Sequence, residues 1–440
     1  MEIKLYQKYK QAESYFESLQ NMTKENFFKG NADPQVFFDR AKKFLSLAGN
    51  PDKTYKIIHV AGTSGKGSTV NYISKILVND GNKVGTHYSP FVSVATEKIQ
   101  INHKLIPVKD FIELVEEMKP IIEKMVATVG IPSYFECWMV ASLLYFKKKK
   151  VDYVVLETGC GGRFDASNAV AKTEYQIITN IGLDHTQFLG TTIEKIAFEK
   201  AGIIRKKGKC ITTATQPSVI KIFEKVCQER GSNLDILDNQ SEPNKALAIH
   251  VAQKMGIDDR IIQKSIKEAL NTPSRFEIMQ KKPLVILDGA HNHDKINYLV
   301  NKILLLDGLD TDRPKVPASA RTTNGKIGNI HLVVAMTDKK DPKDVFKPFK
   351  DLFPQIKHVY ATRFLNSFRM AMNPEEIKKA FRNKAVTTHL DPNDALKLAL
   401  KNAKANDLIL ITGSFFLCCD LRKRWISEEK QLEQRSSFPK

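Results

Sequence analysis

The spacing of apolar residues changes along the chain. Up to about Asp52, Val36, Phe37, Phe44, Leu45 and Leu47 recur near helix spacing, and Asp33-Pro34 is a helix start, so residues 1–52 read as helical. Residues 57–61 (IIHVA) then form a short continuous apolar run that ends in a glycine-rich turn. Val70, Ile73, Ile76 and Leu77 follow on one helical face, closed by Gly81. This strand, loop and helix unit recurs. Residues 151–156 (VDYVVL) lead into Glu157-Thr158-Gly159, and Ile177-Ile178 leads into Asn180 and Asp184-His185. Residues 284–287 lead into Asp288-Gly289-Ala290-His291, residues 332–336 form a further run, and 408–411 end in Thr412-Gly413-Ser414. Continuous apolar runs between helical patterns predict an α/β fold whose mostly parallel strands are covered on both faces. In such sheets ligands sit beyond the carboxyl ends of the strands, where the polar and glycine-rich clusters fall here.

Two segments break the pattern. Residues 231–243 are polar and turn-rich, and residues 308–328 combine Pro, Ser, Thr, Gly and charge without periodicity. Both read as boundaries, the second as a mobile surface insertion. The domain junction is expected near Asp294, giving an ATP-binding domain over 1–294 and a smaller α/β domain over 295–440. A chain of 440 residues suits two or three domains.

Composition narrows the function class. No apolar run is long enough to span a bilayer, and residues 1–10 lack the apolar core of a signal peptide, so the expected location is the cytoplasm. None of the six cysteines forms a C-x-x-C pair, which leaves ordinary thiols. The charge balance, 68 − 49 = +19, fits either a solvated basic surface or a field that attracts polyanions. No aromatic-interleaved basic stripe is present, and Lys147–Lys150 is only a four-residue run. The expected partners are therefore small molecules bound by a monomer, with no nucleic acid and no membrane.

Chemistry concentrates at the strand ends. Gly62-Thr63-Ser64-Gly65-Lys66-Gly67-Ser68 lies between a predicted strand and a predicted helix. Glycines let backbone N–H groups face a phosphate, the helix start adds a positive dipole, and Lys66 adds a point charge. The segment departs from G-x-x-x-x-G-K-[ST] at Val60 and at Gly67. Glu157 at a strand end suits Mg²⁺, which needs few carboxylates when phosphates complete its shell. Gly159, Gly161 and Gly162 are no dinucleotide fingerprint, because position 164 is Phe. His185 is either a structural histidine or a ligand, and Lys200, on a helix over 193–204, is a solvated cation unless held. Asp288 can hold a ribose or a metal-bound water, and His291 can bind anionic oxygen or move a proton. Arg275, thirteen residues earlier, can grip a phosphate or form a surface ion pair.

Taken together these segments resemble the folylpolyglutamate synthase and dihydrofolate synthase family of the Mur ligase superfamily. The matching residues are 59–68, Ser89-Pro90-Phe91, 157–168, Asp184-His185-Thr186, Leu189-Gly190, 199–203, 274–277, 288–292 and Gly413-Ser414, in family order. The resemblance implies a P-loop-containing Mur-ligase-type ATPase domain with a mostly parallel sheet, then a smaller Rossmann-like α/β domain. It implies that Lys66 and residues 62–68 cradle ATP, with Asn244, Arg275 and Asp288 as further ATP contacts. Ser89, Glu157 and His185 match magnesium ligands, and Lys200 matches a lysine that is carbamylated and holds a second ion. His291 and Ser414 match residues near the incoming glutamate and the acyl phosphate. The implied reaction adds L-glutamate to tetrahydrofolate or its polyglutamates through an acyl phosphate, with the two domains closing over it. Dihydropteroate as acceptor, or both activities, is the alternative; a cell-wall Mur ligase and a basic nucleic-acid-binding NTPase are weaker ones. The sequence departs from the family pattern at Ser64, at Lys98 in place of Arg, at Ser241-Glu242-Pro243 and at His293.

Overall fold

Each continuous apolar run becomes a strand with few exposed positions, because it has neighbours on both edges and cover on both faces. The computed structural model describes residues 1–28, 33–238, 240–269, 272–306, 327–338, 340–365 and 370–439. The chain divides into two compact units, 1–270 with 429–440, and 271–428.

The first unit holds an eight-stranded sheet: β1 (Lys56–Ala61), β2 (Val84–His87), β3 (Ile99–Ile101), β4 (Lys104–Leu105), β5 (Tyr153–Glu157), β6 (Tyr175–Ile178), β7 (Lys209–Thr212) and β8 (Asn233–Ile236). Their order is β4-β3-β2-β5-β1-β6-β7-β8. Pairing is parallel from β2 to β8 and antiparallel across β2, β3 and β4. Val60 lies opposite Glu157, and Ala61 opposite Ile178, so the carboxyl ends of β5, β1 and β6 share one rim. The helices Ile3–Phe28 and Pro34–Leu47 realise the helical segment, the second capped by Asp33, which accepts the Gln35 N–H at 2.9 Å. Trp138 stacks on Phe111 at 5.4 Å and takes the edge of Phe16 at 5.1 Å, fastening the first helix to the domain core. Residues 429–440 return to this unit, where Leu105 and Arg435 exchange a backbone hydrogen bond of 3.0 Å and a side-chain bond of 2.8 Å.

The second unit holds β9 (Glu277–Lys281), β10 (Leu284–Leu287), β11 (Ile330–Val334), β12 (Ile356–Ala361), β13 (Ala385–Thr388) and β14 (Leu408–Thr412). The order is β13-β12-β11-β14-β10-β9, parallel except for the β9–β10 pair. Alternate residues feed separate cores: Ile286, Leu332 and Leu410 on one face, Val285, Val333 and Ile409 on the other.

Two features differ from the sequence reading. The units divide at 270/271 rather than near Asp294, because β10 pairs with β14 and draws the preceding hairpin strand into the second sheet. Residues 231–243 do not separate units; they carry edge strand β8, whose half-exposed residues tolerate polar side chains on one free edge. The insertion at 308–328 lies, apart from its last two residues, outside the described residues.

Candidate functional site

The glycine loop after β1 is shaped by close approach. Gly62 has φ +147°, and a Cβ there would lie 1.7 Å from Thr179 Oγ1. Gly65 has φ +87° and caps the helix Lys66–Asn79. A Cβ on Gly65 would lie 2.2 Å from Asn244 Oδ1, so Asn244 stands directly against the loop. Its position comes from Pro243, which opens the helix Pro243–Lys254. The loop is pinned from β6: Thr63 N donates to Asn180 O at 2.9 Å, Ser64 N to Asn180 Oδ1 at 2.8 Å, and Thr179 Oγ1 to Ser64 O at 2.6 Å. Thr179 was not singled out in the sequence, and only its place just after a strand could have flagged it.

Two ammonium groups meet at this loop. Lys66 Nζ donates to the Gly62 carbonyl at 3.2 Å, and Lys200 Nζ donates to the same oxygen at 2.9 Å. Lys200 sits on the helix Ile193–Ala201 and is 4% exposed. Burial, reinforced by the charge of Lys66, pushes its ammonium down to about 7, against the pull of Asp184 and Asp165. Burial also pushes the neighbouring Cys160 thiol up to about 11, which keeps it protonated.

Glu157 ends β5 and accepts the Ser89 N–H at 3.1 Å. Its Oε2 would lie 3.6 Å from a Cβ on Gly67, so the carboxylate and the loop share one corner of the sheet. Glu157 thus presents a strand-end carboxylate with Ser89 beside it, the kind of oxygen donor that suits a hard cation whose shell is completed by phosphates. Asp184 is buried, whereas His185 lies exposed on the left-handed turn (φ +50°) ahead of the short helix Thr186–Leu189. Among the described residues no three His, Cys, Asp or Glu side chains converge in metal-holding geometry. Lys98 is buried within 5.0–5.6 Å of the Tyr134, Phe91 and Trp138 ring centres, and burial pushes it down to about 8.

In the second unit the predicted residues gather at the carboxyl ends of neighbouring β10 and β14, where Leu287 lies opposite Ile411. Asp288 accepts from Phe276 N and Ala290 N, both at 2.9 Å. Desolvation pushes its pKa above the ordinary carboxylate value, opposed by the Arg275 guanidinium. Arg275 lies over the Phe415 ring at 5.3 Å, and a Cβ on Gly289 would fall 2.6 Å from that ring and 3.2 Å from the guanidinium. His291 Nδ1 and the Gly289 carbonyl are 2.7 Å apart, and Lys295 Nζ is 3.1 Å from Nε2, which makes Nδ1 the protonated nitrogen. Ser414 is buried, and its hydroxyl oxygen accepts the Phe416 N–H at 3.2 Å as a helix cap; Gly413 N donates to Ala290 O at 2.9 Å. Ser274 and Phe276 flank Arg275 in left-handed backbone (φ +55° and +51°). That turn is held by Ser274 N donating to Glu277 Oε2 at 2.8 Å, while Glu277 pairs with fully buried Arg422 at 2.9 Å. Arg422 carried no signal in the sequence, since its partner is 145 residues away.

Comparison with known proteins covers both units. Residues 60–253 match the Mur ligase middle domain, and residues 315–415 match the Mur ligase glutamate ligase domain. The chain is 30% identical over 431 residues to the dihydrofolate synthase/folylpolyglutamate synthase of Bacillus subtilis, covering 88% of this chain and 94% of that protein. It is 28% identical to the Escherichia coli protein of the same description, with 82% and 84% covered. Among solved structures, E. coli FolC in complex with DHPP and ADP superposes with a TM-score of 0.77 at 25% identity, covering 94% and 97%. A bifunctional folylpolyglutamate synthase/dihydrofolate synthase with Mn, AMPPNP and L-glutamate bound superposes at 0.74 and 25% identity, covering 88% and 93%.

Proposed function

Because the chain belongs to the dihydrofolate synthase/folylpolyglutamate synthase family, we propose that it joins the amino group of L-glutamate to the carboxylate of tetrahydrofolate or its polyglutamates. It is an ATP-dependent carbon–nitrogen ligase, working with a divalent cation. The observation that carries the residue assignment is the convergence of two lysine side chains, Lys66 and Lys200, on the Gly62 carbonyl of a strand–glycine loop–helix unit. The Lys66 ammonium and the start of the helix Lys66–Asn79 favour an anion beside the loop, and Lys200 reaches the same carbonyl from a helix 138 residues further along the chain.

In the reaction a carboxylate oxygen of the acceptor attacks the γ-phosphorus in line. The bond from phosphorus to the ADP oxygen breaks, and the products are ADP and an acyl phosphate. The amine of L-glutamate then attacks the acyl carbon, phosphate leaves, and loss of a proton from nitrogen gives the amide. Residues 62–68 orient the phosphates, and Lys66 offsets the charge that gathers on the transferred group. Asn244, Arg275 and Asp288 are assigned to ATP, and His291 and Ser414 to glutamate and the acyl phosphate. A bound magnesium ion would neutralise phosphoryl oxygens; Ser89, Glu157 and His185 are the residues that would hold it.

Lys200 is assigned as the carbamylated lysine that would hold a second ion. Its amine adds to CO₂ only when neutral, giving a carbamate and a proton, and burial supplies that neutral form near pH 7. Dihydropteroate is a second acceptor in this reading, favoured by the bifunctional description of the B. subtilis and E. coli relatives. The six free thiols accord with a reducing, cytoplasmic setting.

The test is phosphate release by the full chain with ATP, Mg²⁺ and L-glutamate, adding tetrahydrofolate, dihydropteroate or a UDP-muramoyl peptide singly. Release with either pteridine acceptor and none with the muramoyl peptide is expected. Release that depends on the muramoyl peptide alone would overturn the reading.

A further inference from the structure

The site described above occupies one rim of the first sheet. The opposite rim, at the amino ends of the parallel strands, has a different character. Lys83 precedes β2, Lys150 precedes β5, Lys53 and Lys56 stand at the start of β1, and Lys207 and Lys209 stand at the start of β7. All six side chains are exposed. The sheet order β2-β5-β1-β6-β7 sets these starts side by side, and four steps of about 4.8 Å make a row roughly 19 Å long. Register keeps them level, since Lys56 and Val84 both lie opposite Tyr153, and Cys210 lies opposite Gln176.

Among the described residues none of the six ammonium groups has a carboxylate within ion-pair distance. The acids of the same turns are engaged: Asp52 is buried and accepts the Ala171 N–H at 2.7 Å, Asp152 accepts the Lys83 N–H at 2.7 Å, and Glu174 lies 3.9 Å from Lys172 Nζ. The nearby guanidinium groups turn inward, Arg205 to the Asn168 and Val170 carbonyls and Arg230 to those of Gly202 and Ile204. What faces outward is a row of ammonium charges without carboxylate partners, although Lys83 Nζ donates to the Lys149 carbonyl and Lys56 and Lys209 lie over the Tyr153 and Tyr175 rings at 5.3 and 5.0 Å.

We propose that this rim is a sequence-independent docking surface for the phosphodiester backbone of a single-stranded polynucleotide. Compact ammonium charges suit phosphates, whereas planar carboxylates select the guanidinium forks that are absent here. Neighbouring strands are rotated by about 20° to 25°, so the row curves, and a flexible chain follows it where a planar bilayer meets only part. Among the described residues none of the large exposed apolar side chains belongs to the turns that feed these strands, which leaves no apolar anchor for a lipid surface, and the rings nearest the row, Tyr55 and Tyr153, are only half-exposed. Binding therefore reads no sequence and depends steeply on salt. The rim is separate from the catalytic rim, so occupancy leaves the ligase reaction open.

The experiment uses the full chain and a fluorescein-labelled 20-nucleotide oligouridylate, followed by anisotropy at several salt concentrations. Six phosphate contacts predict a slope of log Kobs against log salt of about −4. The variant K56E/K83E/K207E/K209E is expected to lose at least about tenfold in affinity, to flatten the slope by about 3, and to keep wild-type turnover. The control K109E/K124E/K264E/K267E, with the same change in net charge at other exposed sites, is expected to keep most of the affinity. Should the first variant fail to fold, the corresponding four Gln substitutions are read in its place. The proposal is overturned by no binding at 50 mM salt, by equal losses in rim and control variants, or by displacement with phosphatidylserine vesicles or polyglutamate more readily than with unlabelled oligouridylate.

Discussion

Lys66 and Lys200 in the first unit converge on one carbonyl and have no carboxylate within ion-pair distance among the described residues. Arg422 in the second unit is more deeply buried, yet Glu277 grips it through both oxygens, and Glu277 in turn holds the turn that carries Arg275. Both are buried cation systems with opposite uses. Where charge is paired internally it holds the backbone in an uncommon conformation. Where it is left unpaired its cost appears in the lowered pKa of Lys200, about 7, set by burial and the neighbouring Lys66 charge.

Removing the charge that waits for phosphate should give the largest effect. Lys66→Ala is expected to lower single-turnover formation of acyl phosphate by about 10³-fold or more, with the unfolding midpoint near wild type. Rapid-quench measurement with labelled ATP checks this, and an undiminished burst would erase the contrast. Breaking the paired system should act on stability instead. Arg422→Met leaves Glu277 as an uncompensated buried charge and is expected to cost about 3–5 kcal/mol, read by denaturant unfolding. Adding Glu277→Leu should restore much of that loss; an R422M single variant as stable as wild type would show that the pair does not hold the turn.

The smallest effect sharpens the contrast through pH. If turnover needs neutral Lys200, the rate should fall towards about tenfold per pH unit below pH 7 and level off above it, and the Lys200→Ala variant should lose that limb. Stability carries the same sign. The folded lysine binds fewer protons than the unfolded one between about 7 and the ordinary lysine value, so its contribution rises with pH across that window and is constant below it. A flat rate profile from pH 6 to 8 in bicarbonate-containing buffer would count against a functional neutral amine.

The sequence alone determined the strand, loop and helix units, their parallel pairing, and the residues at strand ends, because apolar period and turn chemistry are properties of short segments. Residues 62–68, Glu157, Asp288 and Ser414 were legible for that reason. Only the tertiary structure decided which of them meet. Lys200 reaches the Gly62 carbonyl across 138 residues, and Asn244 reaches Gly65 after a loop with no family signature. The division at 270/271 follows from β10 lying beside β14, and the Glu277–Arg422 clamp from the same sheet. The excess of +19 looked diffuse along the chain, with no basic stripe, until strand order set separate lysines on one rim. Strand order is a long-range choice among alternatives of similar local pattern, and neither periodicity nor composition encodes it.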